Sequence, residues 1–242
     1  MLQLFKRHHE KKKQQQKRFD SMRNNSNNDT LVETDESRRP MFAMICVNNV
    51  NRSAAAHGHL LAAGLRVCSF GAGARVTFPG RTLGTPRVFG FATPYETMYR
   101  QLKKEDEELF TRNGVLQMLE RDIATKKCPE RWQALSNKRL EQIDIVVCLD
   151  YRMFLVVLED LSMRIRLSFK KKRLHLICLD TEDTPEDACS GGMRALALCK
   201  ELDDAATAIP AGEELTEERV KDIVIAFEKQ HQMQVFYLGV RI

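Results

Sequence analysis

The sequence predicts an α/β protein of three layers, built on a mostly parallel central sheet with an inserted helical subdomain. Three observations predict it. Apolar runs of strand length alternate with stretches whose apolar residues recur at i, i+3 and i+4. The strand-sized runs are almost continuously apolar, as strands buried on both faces are. The first two of them flank a single helix, which demands a parallel pair joined by a right-handed crossover.

In chain order, residues 41–46 form the first strand and residues 47–51 a polar loop. A helix over 52–63 follows, closed by Gly64 as its C′ glycine. Residues 65–70 form the second strand, ended by Gly71-Ala72-Gly73. Two more buried strands are expected over 143–149 and 174–179, and a fifth, last one over 233–238. Helical periodicity marks 95–104, 114–123, 151–166, 185–208 and 217–230. The region 93–140 is far too long for one crossover, so it must hold the helical insertion. No internal repeat is visible. In such a sheet the loops converge at the strands' carboxyl edge, where ligands bind.

The chain has 242 residues, 43% hydrophobic and 29% charged, which suffices for a sizeable core and excludes wholesale disorder. No run approaches the ~18–20 apolar residues of a membrane helix. Lys and Gln stand where a signal peptide would be apolar. A soluble, intracellular protein is expected, with no membrane partner. Residues 1–40 hold 10 Lys/Arg against 6 Asp/Glu, which leaves 28 against 27 in the other 202. The first 40 residues therefore read as a disordered basic tail, and residues 41–242 as one domain. The cluster Lys6, Arg7, Lys11, Lys12, Lys13, Lys17 and Arg18 is a candidate nuclear-import signal. The balanced domain lacks a basic footprint for direct nucleic-acid binding. Seven cysteines without a C-x-x-C pair fit reduced thiols, most of them packing in the core, and no structural zinc.

The chemistry lies in Cys46-Val47-Asn48-Asn49-Val50-Asn51-Arg52-Ser53, which begins where a strand ends and closes where a helix begins. Residues 47–51 can turn their N–H groups inward as an anion nest, helped by the helix dipole. Arg52 adds a planar fork for two phosphate oxygens. These features stabilise negative charge on sulfur, which a nucleophilic thiolate needs. Ser53 can donate to that thiolate or help it leave, and Asn49 and Asn51 can tie the loop to itself. A second feature is Asp180-Thr181-Glu182-Asp183-Thr184-Pro185 after the fourth strand. Phosphoryl transfer to a thiolate expels an alkoxide that needs an acid, and a desolvated aspartate facing an anion holds its proton. Asp180 and Asp183 are both candidates, set against a capping role at the helix beginning near Pro185. His57 and His59 invite a metal or base reading, but His57 fits better as a loop-ordering or core histidine.

These residues resemble the Ssu-type RNA polymerase II C-terminal-domain phosphatases, relatives of the low-molecular-mass protein tyrosine phosphatases. The resemblance runs from about Phe42 to the C-terminus. It includes the loop, Ala56-His57, Ser69-Phe70-Gly71 with Gly73, Phe78-Pro79-Gly80, residues 95–99, Leu109-Phe110-Thr111-Arg112-Asn113-Gly114-Val115, Pro129-Glu130-Arg131-Trp132 and residues 180–187. It implies a low-molecular-mass phosphatase-like fold whose insertion builds a substrate groove, here near Ala72, Thr77, Pro79, Tyr95 and Met118. It implies Cys46 as nucleophile, Arg52 as phosphate binder, Asp183 as general acid and Asp180 as its support, with no cofactor or metal. The implied substrate is a phosphoserine followed by cis-proline in the heptad repeats of the polymerase tail. Implied with it are action in the nucleus in transcription and mRNA 3′-end processing, a symplekin-like scaffold of the cleavage and polyadenylation machinery, and possible coupling to a prolyl isomerase. Against the family loop, Val47, Asn48 and Val50 replace Ser, Ser and Gln, while Ala72 and Thr77 replace Thr and Lys. The alternatives are a low-mass tyrosine phosphatase-like enzyme or arsenate reductase, disfavoured by the insertion and the lack of a resolving cysteine pair, and a catalytically weak phosphopeptide-binding scaffold.

Overall fold

A five-stranded sheet in the order β2-β1-β5-β6-β7 carries the molecule, with a separate β3–β4 hairpin. The computed structural model describes residues 39–82, 84–165, 172–210 and 213–242. The strands are β1 (Phe42–Cys46), β2 (Val67–Gly71), β3 (Val76–Phe78), β4 (Arg87–Phe89), β5 (Ile145–Cys148), β6 (Arg173–Cys178) and β7 (Phe236–Arg241). The helices are α1 (Arg52–Ala62), α2 (Tyr95–Arg112), α3 (Val115–Thr125), α4 (Asn137–Leu140), α5 (Tyr151–Ile165), α6 (Pro185–Thr207) and α7 (Glu217–His231), with one 3₁₀ turn at Trp132–Ala134. Among the described residues no helix is long and apolar enough to cross a membrane. Most of the segment 1–40, with its basic cluster, lies outside the described residues.

The central strands alternate between two buried faces. Phe42, Met44, Ile145, Val147 and Ile177 pack under α1, α6 and α7 with Ala56, Leu60, Leu198, Leu202 and Phe227. Ala43, Ile45, Val146, Cys148 and Leu176 face the other way, against Trp132, Phe154, Val157 and Leu161. Burial on both sides is why these strands read as continuous apolar runs. β1 pairs parallel with β2 and β5, and β5 with β6. The register sets Cys46 opposite Gly71, Ile45 opposite Cys148, and Cys148 opposite Cys178, so the carboxyl ends finish level.

Four expectations need correction. The last strand lies over 236–241 and runs antiparallel to β6 at the sheet edge. Residues 233–235 are taken up by the exit from α7: Gln232 is left-handed (φ 49), Met233 N–H donates to Glu228 O, and Val235 N–H donates to Glu228 Oε1. The helix expected over 95–104 continues to Arg112 across a kink at Asp106, whose backbone is extended. Asp106 Oδ1 accepts from Leu109 N–H at 3.0 Å and caps the second segment. The β3–β4 hairpin was not expected. The fold also begins before Met41: Arg39 donates to Asp203, and Pro40 is buried.

The insertion has its own core. Val76 and Phe78 of the hairpin pack with Tyr95, Met98, Leu102, Phe110, Leu116 and Leu119. Val50 from the polar loop belongs to the same cluster. On the other side, α1 lies close against α6 at Gly192, where a Cβ would stand 3.1 Å from Ala56 N and 2.8 Å from the His59 ring. Glycine makes that approach without displacing either neighbour.

Candidate active site

Cys46 ends β1 and is buried, and the loop after it is braced at nearly every residue. Asn49 adopts the left-handed conformation (φ 56), which asparagine tolerates. Its N–H donates to Cys46 Sγ at 3.3 Å, and its carbonyl accepts the Tyr95 hydroxyl at 2.5 Å. Its Oδ1 accepts Glu130 N–H at 3.0 Å, which fixes the amide orientation, because a backbone N–H can only donate. Asn49 Nδ2 then donates to Ser53 Oγ at 3.1 Å and Ser69 Oγ at 3.0 Å. The Ser53 hydroxyl lies 3.0 Å from Cys46 Sγ, where it can donate to a thiolate. The Ser69 hydroxyl is also hydrogen-bonded to His57 Nδ1 at 2.8 Å. Burial, with help from the nearby Lys126 charge and against Glu130, pushes the His57 pKa down to about 4. His57 thus orders the loop through Ser69.

Arg52 opens α1 and is buried. Its guanidinium donates to Thr181 O at 2.7 Å, to Asp150 Oδ2 at 2.9 Å and to Asp183 Oδ2 at 3.4 Å. Its Nε is buried with no partner, a donor waiting for an acceptor. Asp150, two residues beyond β5, is the buried counter-charge that holds the fork, and it also accepts Met153 N–H at 3.1 Å. Burial pushes its carboxyl up, but the Met153 N–H and the guanidinium charges of Arg52 and Arg152 win and hold it below the ordinary range.

The two candidate acids differ. Asp183 lines the cavity above Cys46 and accepts Asn51 Nδ2 at 3.0 Å. It is not desolvated as expected, since its side chain is 49% exposed. Asp180 is exposed, and its Oδ1 accepts Tyr151 N–H at 2.9 Å, so it caps α5 and is absent from the cavity wall. Neither aspartate caps α6, because Thr184 does so by accepting Asp187 N–H at 3.0 Å.

The cavity measures about 120 Å³. That is the room of about four waters, enough for a phosphate. It is lined by Cys46, Asn48, Val50 and Asn51 of the loop, by Thr77, Phe78 and Pro79, and by Asn113, Val115, Met118, Asp183 and Pro185. Thr77, Pro79 and Met118 therefore border it, whereas Ala72 and Tyr95 do not. Both lie buried beneath the loop, where Ala72 N–H donates to Cys46 O at 2.9 Å and Tyr95 holds Asn49. Val47 faces β2, its carbonyl accepting Gly73 N–H at 3.0 Å. Asn48 bonds both backbone groups of Thr77, joining loop to hairpin.

Sequence reasoning missed Asp150 and Arg121. An acid just past a buried strand at the carboxyl edge was a usable signal for Asp150. Arg121 left none. It reaches from α3 to the carbonyls of Val50 and Asn51 while pairing with Asp122. Asp122 is buried with Oδ2 unpartnered, and burial lifts its pKa to about 7 against the pull of Arg121 and Lys126. All seven cysteines are free; Cys148, Cys178 and Cys199 pack in the core, but Cys189 is exposed, 3.9 Å from His59 Nε2. Among the described residues no group of three or more His, Cys, Asp or Glu could hold a metal ion.

A family model described as Ssu72-like protein matches residues 40–240. The RNA polymerase II C-terminal domain phosphatase SSU72 of Dictyostelium discoideum is 36% identical over 196 residues, covering 81% of this chain and 86% of that protein. A crystal structure of the serine phosphatase of the RNA polymerase II CTD from Drosophila melanogaster superposes with a TM-score of 0.74 at 30% identity, covering 84% of this chain and 99% of that one. Drosophila Ssu72 with symplekin, bound to a cis peptidomimetic of a phosphoserine CTD peptide, gives a TM-score of 0.72 at 27% identity, covering 84% and 98%.

Proposed function

Because the chain belongs to the Ssu72-like family, we propose that it is a cysteine-based phosphatase acting on phosphoserine in the heptad-repeat tail of RNA polymerase II. One observation carries the reading. Cys46 Sγ lines a phosphate-sized cavity, within hydrogen-bond distance of Asn49 N–H and the Ser53 hydroxyl, and its loop ends in Arg52, whose buried Nε has no partner.

In the first step the Cys46 thiolate attacks phosphorus in line. The P–O bond to serine breaks, and Asp183 gives its proton to the departing oxygen. The equatorial oxygens take the loop N–H groups and Arg52 Nε, so charge is met by donors that need no reorganisation. In the second step Asp183 removes a proton from water, which attacks the phosphocysteine. The P–S bond breaks, and the Ser53 hydroxyl stabilises the returning thiolate. Asp150 keeps the Arg52 fork in register through both steps.

The substrate we propose is phosphoserine followed by proline in the cis form, by analogy with the cis peptidomimetic bound to the Drosophila relative. Cis is the minor isomer, ~10–30% in unfolded peptides, so a prolyl isomerase would speed turnover. We propose likewise a symplekin-like scaffold as partner, which the Drosophila complex supports, and action in the nucleus, which the polymerase-directed relatives support. A tyrosine phosphatase-like activity fits less well, because the helical insertion contributes Asn113, Val115 and Met118 to the cavity lining.

Cys46→Ser should abolish turnover while phosphate still binds; wild-type rates in that variant would exclude a phosphocysteine. Asp183→Asn should slow phosphoserine peptide hydrolysis by ~10²–10⁴-fold and an aryl phosphate with a good leaving group far less. Equal losses on both substrates would remove Asp183 from the acid role. Parallel assays on phosphoserine-proline and phosphotyrosine peptides separate the two substrate readings.

A further inference from the structure

A wider cleft of about 510 Å³ opens beside the catalytic cavity and shares Asn113, Met118 and Pro185 with it. The small cavity holds little beyond a phosphate, so a peptide delivering its phosphoserine must continue outward, and this shared wall is one way out. The cleft is lined by two cations, Arg112 and Arg121, against the single acid Glu186. Arg121 is committed to Asp122 and the loop carbonyls, so it adds field but few donors. Arg112, the last residue of α2, is different. Its side chain is 71% exposed, and its ion pair with Glu108 is a 4.0 Å approach to a carboxylate 89% exposed. Such a pair contributes little, so the guanidinium can turn to a guest without losing a partner of consequence. Asn113 Oδ1 accepts Val115 N–H at 3.2 Å, which leaves its amide N–H groups as donors on the shared wall.

We infer that this cleft is a subsite for a second phosphorylated side chain of the same peptide, flanking the scissile phosphoserine, and that Arg112 is its specificity-determining residue. The inference rests on the phosphoserine reading above. A phosphate dianion offers the planar oxygen pair that a guanidinium grips through two parallel N–H bonds. The interaction is made before and during reaction alike, so it should act on KM more than on kcat.

The test uses the full chain and three peptides of equal length: one carrying the scissile phosphoserine alone, and two carrying a second phosphate on its amino or carboxyl side. Each is assayed with wild type, Arg112→Lys, Arg112→Gln and Arg112→Glu, with an aryl phosphate alongside. In wild type at low salt, one doubly phosphorylated peptide should exceed the singly phosphorylated one in kcat/KM by roughly 3–10-fold. That ratio should survive in part in Arg112→Lys, vanish in Arg112→Gln, invert in Arg112→Glu and shrink with added salt. A ratio that stays the same across the variants, or two doubly phosphorylated peptides both poorer than the single one in wild type, overturns the subsite alone. A wild type that hydrolyses the aryl phosphate but none of the peptides overturns the phosphoserine reading, and the subsite with it.

Discussion

Two buried ionisable residues beside the phosphate loop, His57 and Asp122, oppose each other in their effect on stability. His57 is hydrogen-bonded to Ser69 and held neutral, its pKa pushed down to about 4 chiefly by burial. Between pH 4 and 6.5 the unfolded chain binds that proton and the fold does not. His57 therefore contributes stability that is present above pH 6.5 and lost as pH falls toward 4. Asp122 is lifted by burial from 3.8 to about 7. Between those values the fold holds a proton that the unfolded chain releases, so its contribution is present below pH 3.8 and lost as pH rises toward 7. Across pH 4–6.5 the two slopes have opposite sign and similar size, about 1.4 kcal/mol per pH unit each. Single substitutions should uncover them. Relative to wild type, His57→Gln should lose stability as pH rises from 4.5 to 6.5, and Asp122→Asn should gain it. Urea midpoints across that range measure both, and parallel pH profiles for the three proteins would show that neither residue is neutralised by its surroundings.

At the level of elements, the helical insertion grips the phosphate loop as firmly as the sheet does. Val50 plugs the insertion's core, and Arg121 of α3 holds the Val50 and Asn51 carbonyls. Holding those two carbonyls fixes the loop backbone between Cys46 and Arg52, so Arg121 is expected to act as a positioning residue. Arg121→Met should lower kcat by ~10–100-fold, the scale of a small misplacement at a reacting centre, but it also strands the buried Asp122 charge. Arg121→Met with Asp122→Leu removes that penalty. The double variant should recover its urea midpoint while kcat stays low; recovery of both would make Arg121 merely structural. None of this was visible in the sequence, because Arg121-Asp122 reads as two charges on a helix. The loop itself was legible, since a buried strand, a polar run and Arg52-Ser53 fix its ends. The β3–β4 hairpin was not, because Val76-Thr77-Phe78 offers too short an alternation to register as a strand. β7 was misplaced because Met233 and Val235 look like strand residues yet serve the turn out of α7. Asp150 and the loss of Ala72 and Tyr95 from the groove depend on how distant elements meet, which local pattern does not encode.

At the scale of the molecule, level carboxyl ends on β1, β5 and β6 bring residues 46–53, 150 and 180–183 together from three loops. That convergence lies wholly within the compact unit Arg38–Ile242. The amino-terminal limit of the unit is a specific contact. Arg39 donates its Nε to both carboxylate oxygens of Asp203, at 3.2 and 3.1 Å, and its carbonyl accepts from Arg66. Asp203 is itself buried, on α6. Two truncations three residues apart should therefore behave differently. Removing residues 1–37 keeps Arg39, so activity on a one-repeat phosphopeptide and the melting temperature should stay near wild type. Removing residues 1–40 leaves the Asp203 carboxylate without that cation. Arg39 is 31% exposed, so a cost of about 1–3 kcal/mol is reasonable, or roughly 3–10 °C in Tm for a domain of this size. Calorimetry on the two proteins decides it. Equal melting temperatures would show that the Arg39–Asp203 pair contributes nothing. A loss of one-repeat activity on removing residues 1–37 would show that the catalytic unit extends beyond Arg38.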